Sequence, residues 1–499
     1  MKKKKQNLDY TQQALQNEYL AKEKEKIKKN KQKNKPITII TYIMVGVFVW
    51  LIGYIIYFMQ FKAESTIANS RNIRQDDFAD VVERGDIITS DGVVIAESST
   101  DEEGNTTRNY PYANMFAHLV GYDCYGKAGL ELQGNFYMLR SNVNIFEKVY
   151  NELIEQKNRG DNLITTVDYG LQEAAYNALG GCDGAVIAIE PDTGKIRVMV
   201  SKPDYDPNDM DYVWDYLQSE EGQDSSILLN RATQGHYAPG STFKVVTLLE
   251  YIRENPNDYD NYTYECQGAS IFDSVRITCS NEKIHGYESL ADCLANSCNC
   301  AFADMGTTLD FTSYKETAES LLFNMDLPYQ GEYSSSVFDI DADSRKDELP
   351  QTVIGQGNTE ITPLHSAMIM CAIANDGILM EPYLIEKIEN DDGGSVKEFS
   401  SKKYGQLITK EESEILTEYL IGVCEYGTAS GYMWDASYKV AGKTGTAEYD
   451  NEGHTNSWFV GFSNPDNPDL VVCVIVEDYW SNGVSATYVA RQIFDAYYQ

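Results

Sequence analysis

The chain has 499 residues, 42% apolar and 23% charged, so at about 150 residues per domain it exceeds one minimal fold and holds enough apolar material for a large core. With 41 Lys+Arg against 76 Asp+Glu the formal charge is -35, which leaves no general basic field for phosphate backbones and excludes nucleic acid as an expected partner. Its 10 cysteines are too sparse for a disulfide-built scaffold.

Residues 1–35 depart from that average, with 12 Lys against four acids (Asp9, Glu18, Glu23, Glu25). The next 26 residues, PITIITYIMVGVFVWLIGYIIYFMQF (36–61), carry no charge. At about 1.5 Å per residue such a helix crosses a hydrocarbon core of about 30 Å. A cleaved signal peptide starts similarly, but its apolar core is only about 7 to 15 residues and precedes a small-x-small cleavage site, so a retained single span is expected. Lysines before the span and an acidic chain after it predict a cytoplasmic N-terminus and an exterior 62–499 at the cell membrane.

After a mixed-charge connector, Asp86–Ser98 predicts two short strands around the turn Ser90-Asp91-Gly92. Arg84-Gly85-Asp86 matches an adhesion tripeptide, but the flanking strand pattern accounts for it structurally. Polar sequence over 99–109 and the glycine-bearing VGYDCYGKAGLELQGN complete a small β-rich pedestal, 62–160. A second domain, 161–499, opens with a helix over Leu171–Leu179 and two strands, Gly184–Glu190 and Lys195–Ser201, joined at Pro191-Asp192-Thr193-Gly194. Three further strands (Tyr438–Tyr449, Asn456–Ser463, Asp469–Asp478) and a helix (Ser485–Tyr498) close the chain. Between the strand sets lie helices such as Pro363–Asn375, with Thr362 as its cap and Pro363 at its first position. The expected class is α+β, an antiparallel sheet flanked by helices.

Three short motifs carry the chemistry. In Tyr237-Ala238-Pro239-Gly240-Ser241-Thr242-Phe243-Lys244, Ser241 sits where a loop becomes a helix and Lys244 follows three residues later on the same face. A serine hydroxyl needs a base, and an amine serves only when burial or a second cation holds it neutral. Ser297-Cys298-Asn299 offers a hydroxyl for proton relay and an amide for substrate. Lys443-Thr444-Gly445-Thr446, in a predicted strand, offers that second cation, two hydroxyls for a carboxylate, and a glycine allowing close approach. The backbone N–H groups of Ser241 and Thr446 are candidates for an oxyanion hole.

S-x-x-K, S-x-N and K-T-G in this order, with NRATQGHYAPGSTFKVVT, IGQGNTEITPLHSAMIMCAIANDG, VAGKTGTAEY and WFVGF, resemble the transpeptidase domain of a class B penicillin-binding protein. RGDIITSDGVVIAES and YPYANMFAHLVGYDCYGKAGLE resemble that family's pedestal. The resemblance implies the penicillin-binding/β-lactamase-like fold and peptidoglycan D,D-transpeptidation through a serine acyl-enzyme, without a cofactor. Ser241 would be the nucleophile, Lys244 its base and Ser297 the relay. Asn299, Lys443, Thr444, Gly445 and Thr446 would bind substrate. Stem peptides ending in D-Ala-D-Ala, an amine acceptor and β-lactams are the implied ligands, and other membrane proteins of wall synthesis the implied partners. A D,D-carboxypeptidase or β-lactamase-like hydrolase shares the acylation residues, and an idle scaffold is a third reading. The sequence does not choose among elongation, division and sporulation.

The cysteines give two expectations. Cys293, Cys298 and Cys300 suggest zinc, but no C-x-x-C pair or histidine partner completes four ligands, so no metal is expected. Cys266 and Cys279 flank ECQGASIFDSVRITCS and are a candidate disulfide. His118, His236, His285, His365 and His454 show no metal-binding spacing and are expected to be structural.

Overall fold

The computed structural model describes residues 2–61, 81–101, 105–154, 156–449 and 453–499; the expected juxtamembrane connector lies outside these. The chain divides into two units, 1–72 and 73–499. In the first, Lys2–Phe61 is one helix, and its stretch Lys35–Phe58 is apolar, exposed and long enough to cross a membrane.

The second unit is built on a five-stranded antiparallel sheet in the order Val440–Glu448, Thr455–Ser463, Val471–Val476, Gly184–Ile189, Ile196–Lys202. The first two lie within about two residues of their predicted bounds, as do Gly184–Ile189, Ile196–Lys202 and Val471–Val476. Every residue of GAVIAI (184–189) and VVCVIV (471–476) is buried. Such unbroken apolar runs arise when helices cover both faces of a sheet, because neither face can then be polar. Pro363–Ala374 packs against three of the strands and is itself wholly buried. Its start has the expected chemistry: Thr362 accepts from the His365 N–H, and Pro363 occupies the first turn, where no backbone donor is needed. Tyr169–Leu179 and Ala486–Tyr497 pack on each other and on four strands of the sheet, three of them the ones that Pro363–Ala374 also covers.

A second sheet of six strands contains the expected hairpin, Ile87–Ile88 with Val94–Thr100. The polar segment Thr106–Asn109 is one of its two edge strands, paired with Val94–Thr100. Asn162–Thr165 pairs in parallel with Ile87–Ile88 and antiparallel with Ile385–Glu389, so this sheet runs across the expected boundary near residue 160. The Arg-Gly-Asp tripeptide is structural as expected. Arg84 is buried against Glu131, and Asp86 accepts from Arg159 at 2.7 Å.

Candidate active site

The nucleophile turn is a short 3-10 segment, Gly240–Phe243, running into the helix Lys244–Glu254. It lies against the outer edge of Val440–Glu448, the strand bearing the third motif, which begins the sheet. Two glycines make that contact possible. A Cβ at Gly445 would stand 3.0 Å from Thr242 Cγ2 and 3.2 Å from the Pro239 carbonyl oxygen. Gly240 has φ +52°, and a Cβ there would come within 2.7 Å of the Thr446 carbonyl oxygen. The close approach expected of Gly445 is therefore first that of the nucleophile loop itself. Trp458, on the neighbouring strand, donates its indole N–H to the Ala238 carbonyl at 3.2 Å and holds the loop from beneath.

Ser241 is half-buried at the start of the turn, whereas Lys244 and Lys443 are fully buried. Lys244 Nζ donates to the Ser297 carbonyl at 2.7 Å and to Asn299 Oδ1 at 2.6 Å, and lies 3.2 Å from Ser297 Oγ. Lys443 Nζ reaches the same Ser297 Oγ at 3.0 Å and its neighbour's carbonyl, Thr444 O, at 2.9 Å. The two amines thus meet at the hydroxyl of Ser297, and the three motifs are joined there. The Asn299 orientation is fixed by its partners: its amide Nδ2 donates to Thr278 O at 2.8 Å, so Oδ1 must face the lysine.

Burial is the main reason both amines lose their proton more readily than usual. It takes Lys244 down to about 8, against an opposing pull from the thiols of Cys298, Cys279, Cys293 and Cys300. Burial also carries Lys443 well below the ordinary lysine range, with the charge of Lys244 as the second cause. Desolvation, rather than repulsion between the amines, is thus the leading cause for both. Lys443, expected as the second cation and as a substrate-binding residue, has its amine fully buried on Ser297 Oγ. The rim positions belong to Thr444, half-buried and bonded to Thr428, and to Thr446, which is exposed. Ser297 itself has φ +56°, between the helices Leu290–Ala295 and Asn299–Gly306. This turn lets one residue present both its carbonyl and its hydroxyl to Lys244.

Beside the second motif one cysteine expectation is overturned. All ten cysteines are free, and Cys266 Sγ and Cys279 Sγ stand 3.7 Å apart, so the expected disulfide is not formed. Cys279 Sγ is also 3.8 Å from Cys298 Sγ, and His285 Nδ1 is 3.5 Å from Cys266 Sγ. These four ligand atoms lie within 4.8 Å of one another. A histidine does complete the cysteines: the set is Cys266, Cys279, His285 and Cys298, without Cys293. The spacing C-x12-C-x5-H-x12-C gave no familiar signal because two hairpins and a helix start bring its members together. His118 and His365 are buried with Nε2 on backbone carbonyls, structural as expected.

Comparison with known proteins agrees with this arrangement. The family model described as penicillin binding protein transpeptidase domain matches residues 184–495, and that described as penicillin binding protein A dimerisation domain matches 84–163. Peptidoglycan D,D-transpeptidase PbpA of Mycolicibacterium smegmatis is 30% identical over 449 residues, covering 84% of this chain and 88% of the relative. Among solved structures, the D,D-transpeptidase domain of a peptidoglycan glycosyltransferase from Eggerthella lenta aligns with a TM-score of 0.74 at 30% identity, over 84% of this chain and 98% of that one. The imipenem acyl-enzyme complex of penicillin-binding protein A from M. tuberculosis aligns with a TM-score of 0.74 at 25% identity, over 84% and 100% of the two chains. On its motifs, its sheet and these matches, the chain belongs to the class B penicillin-binding proteins.

Proposed function

We propose that the chain is a serine-type peptidoglycan D,D-transpeptidase, acylated by D-Ala-D-Ala stem peptides and by β-lactams. The observation that carries this reading is the meeting of Lys244 and Lys443 on Ser297 Oγ, at 3.2 and 3.0 Å, both amines fully buried. A neutral Lys244 has two N–H donors, which its two shortest bonds use, and one lone pair left to accept a proton. Ser241, three residues away on the same helical face, supplies that proton as its Oγ attacks the penultimate D-alanine carbonyl. The tetrahedral oxyanion forms beside the Ser241 and Thr446 backbone. Ser297 then passes the proton from Lys244 to the departing D-alanine, and Lys443 orients its hydroxyl. Thr444 and Thr446 take the terminal carboxylate at the rim, and Asn299 holds Lys244 in line. An amine from a second stem attacks the ester, returns its proton through the same relay and frees Ser241.

The names of the relatives and the acyl-enzyme form of one solved neighbour support the same chemistry. In this reading the Lys-rich segment 1–35 is cytoplasmic, 36–61 is a retained single span, 62–160 is the pedestal, and 161–499 works at the outer face of the membrane, where stem peptides are found. Partners among other membrane proteins of wall synthesis fit that location. Ser241→Ala should abolish covalent labelling of the full chain by a fluorescent penicillin; labelling that survives refutes the nucleophile. A stem-peptide donor incubated with an amine acceptor should give cross-linked product in excess of the hydrolysed peptide. Hydrolysis alone would make the protein a carboxypeptidase.

A further inference from the structure

The geometry points to a structural zinc site formed by Cys266, Cys279, His285 and Cys298, a closed Cys3His set that ties the 263–289 excursion to the second motif. Zinc binds thiolate at about 2.3 Å and imidazole nitrogen at about 2.0–2.1 Å in a tetrahedron. Ligands at those lengths stand about 3.8 Å apart for two sulfurs and about 3.5 Å apart for sulfur and nitrogen. The observed separations are 3.7 Å for Cys266–Cys279, 3.8 Å for Cys279–Cys298 and 3.5 Å for Cys266–His285 Nδ1. All three cysteines are buried, and the His285 side chain is 6% exposed. Glu288 is 2% exposed, and its Oε2, 3.8 Å from His285 Nδ1, has no hydrogen-bond partner among the described residues.

The ligands come from separate elements. Cys266 ends the strand Thr263–Cys266, opposite Gly286, and Cys279 follows the hairpin strand Val275–Thr278. His285 precedes Gly286–Ser289, and Cys298 caps the helix Asn299–Gly306. Binding sends the three thiol protons to solvent, with His285 coordinating as neutral imidazole through Nδ1. Cys300 Sγ is 3.7 Å from Cys279 but is directed to the Ile277 carbonyl, and it stays outside the set. Three thiolates and an imidazole in a tetrahedron suit zinc, leaving no open position for catalysis. The site has a clear line to the active site: Thr278, next to Cys279, accepts from Asn299, and Asn299 accepts from Lys244.

The test is elemental analysis of the full chain purified in detergent without added metal. One zinc per chain is expected, falling at least tenfold in Cys266→Ser and in His285→Ala and unchanged in Cys300→Ser. Should those variants not fold, the wild-type chain is stripped with a chelator and refilled with cobalt(II). Tetrahedral thiolate absorption should appear, and Cys266, Cys279 and Cys298 should become protected from alkylation. A wild-type chain without zinc and without that spectrum, a chain holding another metal, or a Cys266–Cys279 disulfide in the purified protein overturns the proposal. The link to Asn299 rests on the proposed function. Stripping should slow penicillin labelling about 10- to 100-fold, and zinc but not magnesium should restore it. Unchanged labelling of the stripped chain overturns that link, and because metal content is read independently of acylation, the two failures are distinguishable.

Discussion

Two regions of the molecule bury charge-bearing side chains, with opposite results. In the pedestal, Glu131 is fully buried between two arginines, Arg84 at 2.5 Å and Arg108 at 2.8 Å. Burial alone would raise its carboxyl, but Arg108 and Arg84 outweigh it, and the group is held below the usual carboxylate range. At the active site Lys244 and Lys443 are equally buried, yet both are basic, and the hydrogen bonds described for their amines go to neutral oxygens. Burial there pushes the amines toward their neutral form. Opposite charges buried together stay ionised and hold structure; like charges buried together give up a proton and become reactive.

The comparison breaks most strongly at Lys244. Lys244→Met leaves the hydrophobic packing largely filled but removes the base, and penicillin acylation should slow about 10²- to 10⁴-fold at constant thermal stability. Retention of the rate would show that another group takes the proton.

In the pedestal the effect should fall on stability instead. Glu131→Ala leaves two arginines buried without their carboxylate and should cost about 3–5 kcal/mol, read as a lower unfolding midpoint in urea. The sign with pH follows from the lowered carboxyl: its contribution is complete above the unfolded value of about 4.3 and is lost as pH falls through the folded value. Wild type should therefore lose stability below about pH 4, and Glu131→Gln should lack that part of the decline. An identical acid limb in the variant would remove Glu131 as its source.

A smaller change separates burial from repulsion at the active site. Four thiols, Cys279, Cys293, Cys298 and Cys300, bear on Lys244, and the charge of Lys244 bears on Lys443. Lys443→Met removes the neighbouring amine and whatever repulsion it exerts, so Lys244 should hold its proton slightly longer. The midpoint of acylation against pH should rise, by less than about one unit because desolvation remains, equivalent to about 1.4 kcal/mol at most. A rise of several units would make repulsion the dominant cause. The smallest effect belongs to exposed pairs such as Arg276–Glu282, with side chains 57% and 64% exposed; Glu282→Gln should change stability by about 0.2–1 kcal/mol in a urea titration.

Much of this arrangement was legible in the residues. Thr362 with Pro363 announced the buried helix, and Pro191-Asp192-Thr193-Gly194 announced the turn between two core strands. Thr106–Asn109 was less legible as a strand, because TTRN has no apolar alternation; its side chains are largely exposed and Arg108 is the one used inside, against Glu131. Ser241, Lys244, Ser297, Asn299 and Lys443 were identifiable by motif. That both amines meet Ser297 Oγ, and that both are fully buried, depended on packing. His285 carried no signal beside its cysteines, since Cys279, Cys298 and Cys266 stand 6, 13 and 19 residues from it along the chain.

By itself the sequence determined what short-range physics encodes: an uncharged stretch long enough for a membrane, strands and helices marked by periodicity and caps, and three motifs in order. Only the tertiary structure decided which groups lose water and which distant atoms converge. Proton affinity and metal-ligand geometry are set by the dielectric and by separations of a few ångströms, and those depend on residues tens to hundreds of positions apart.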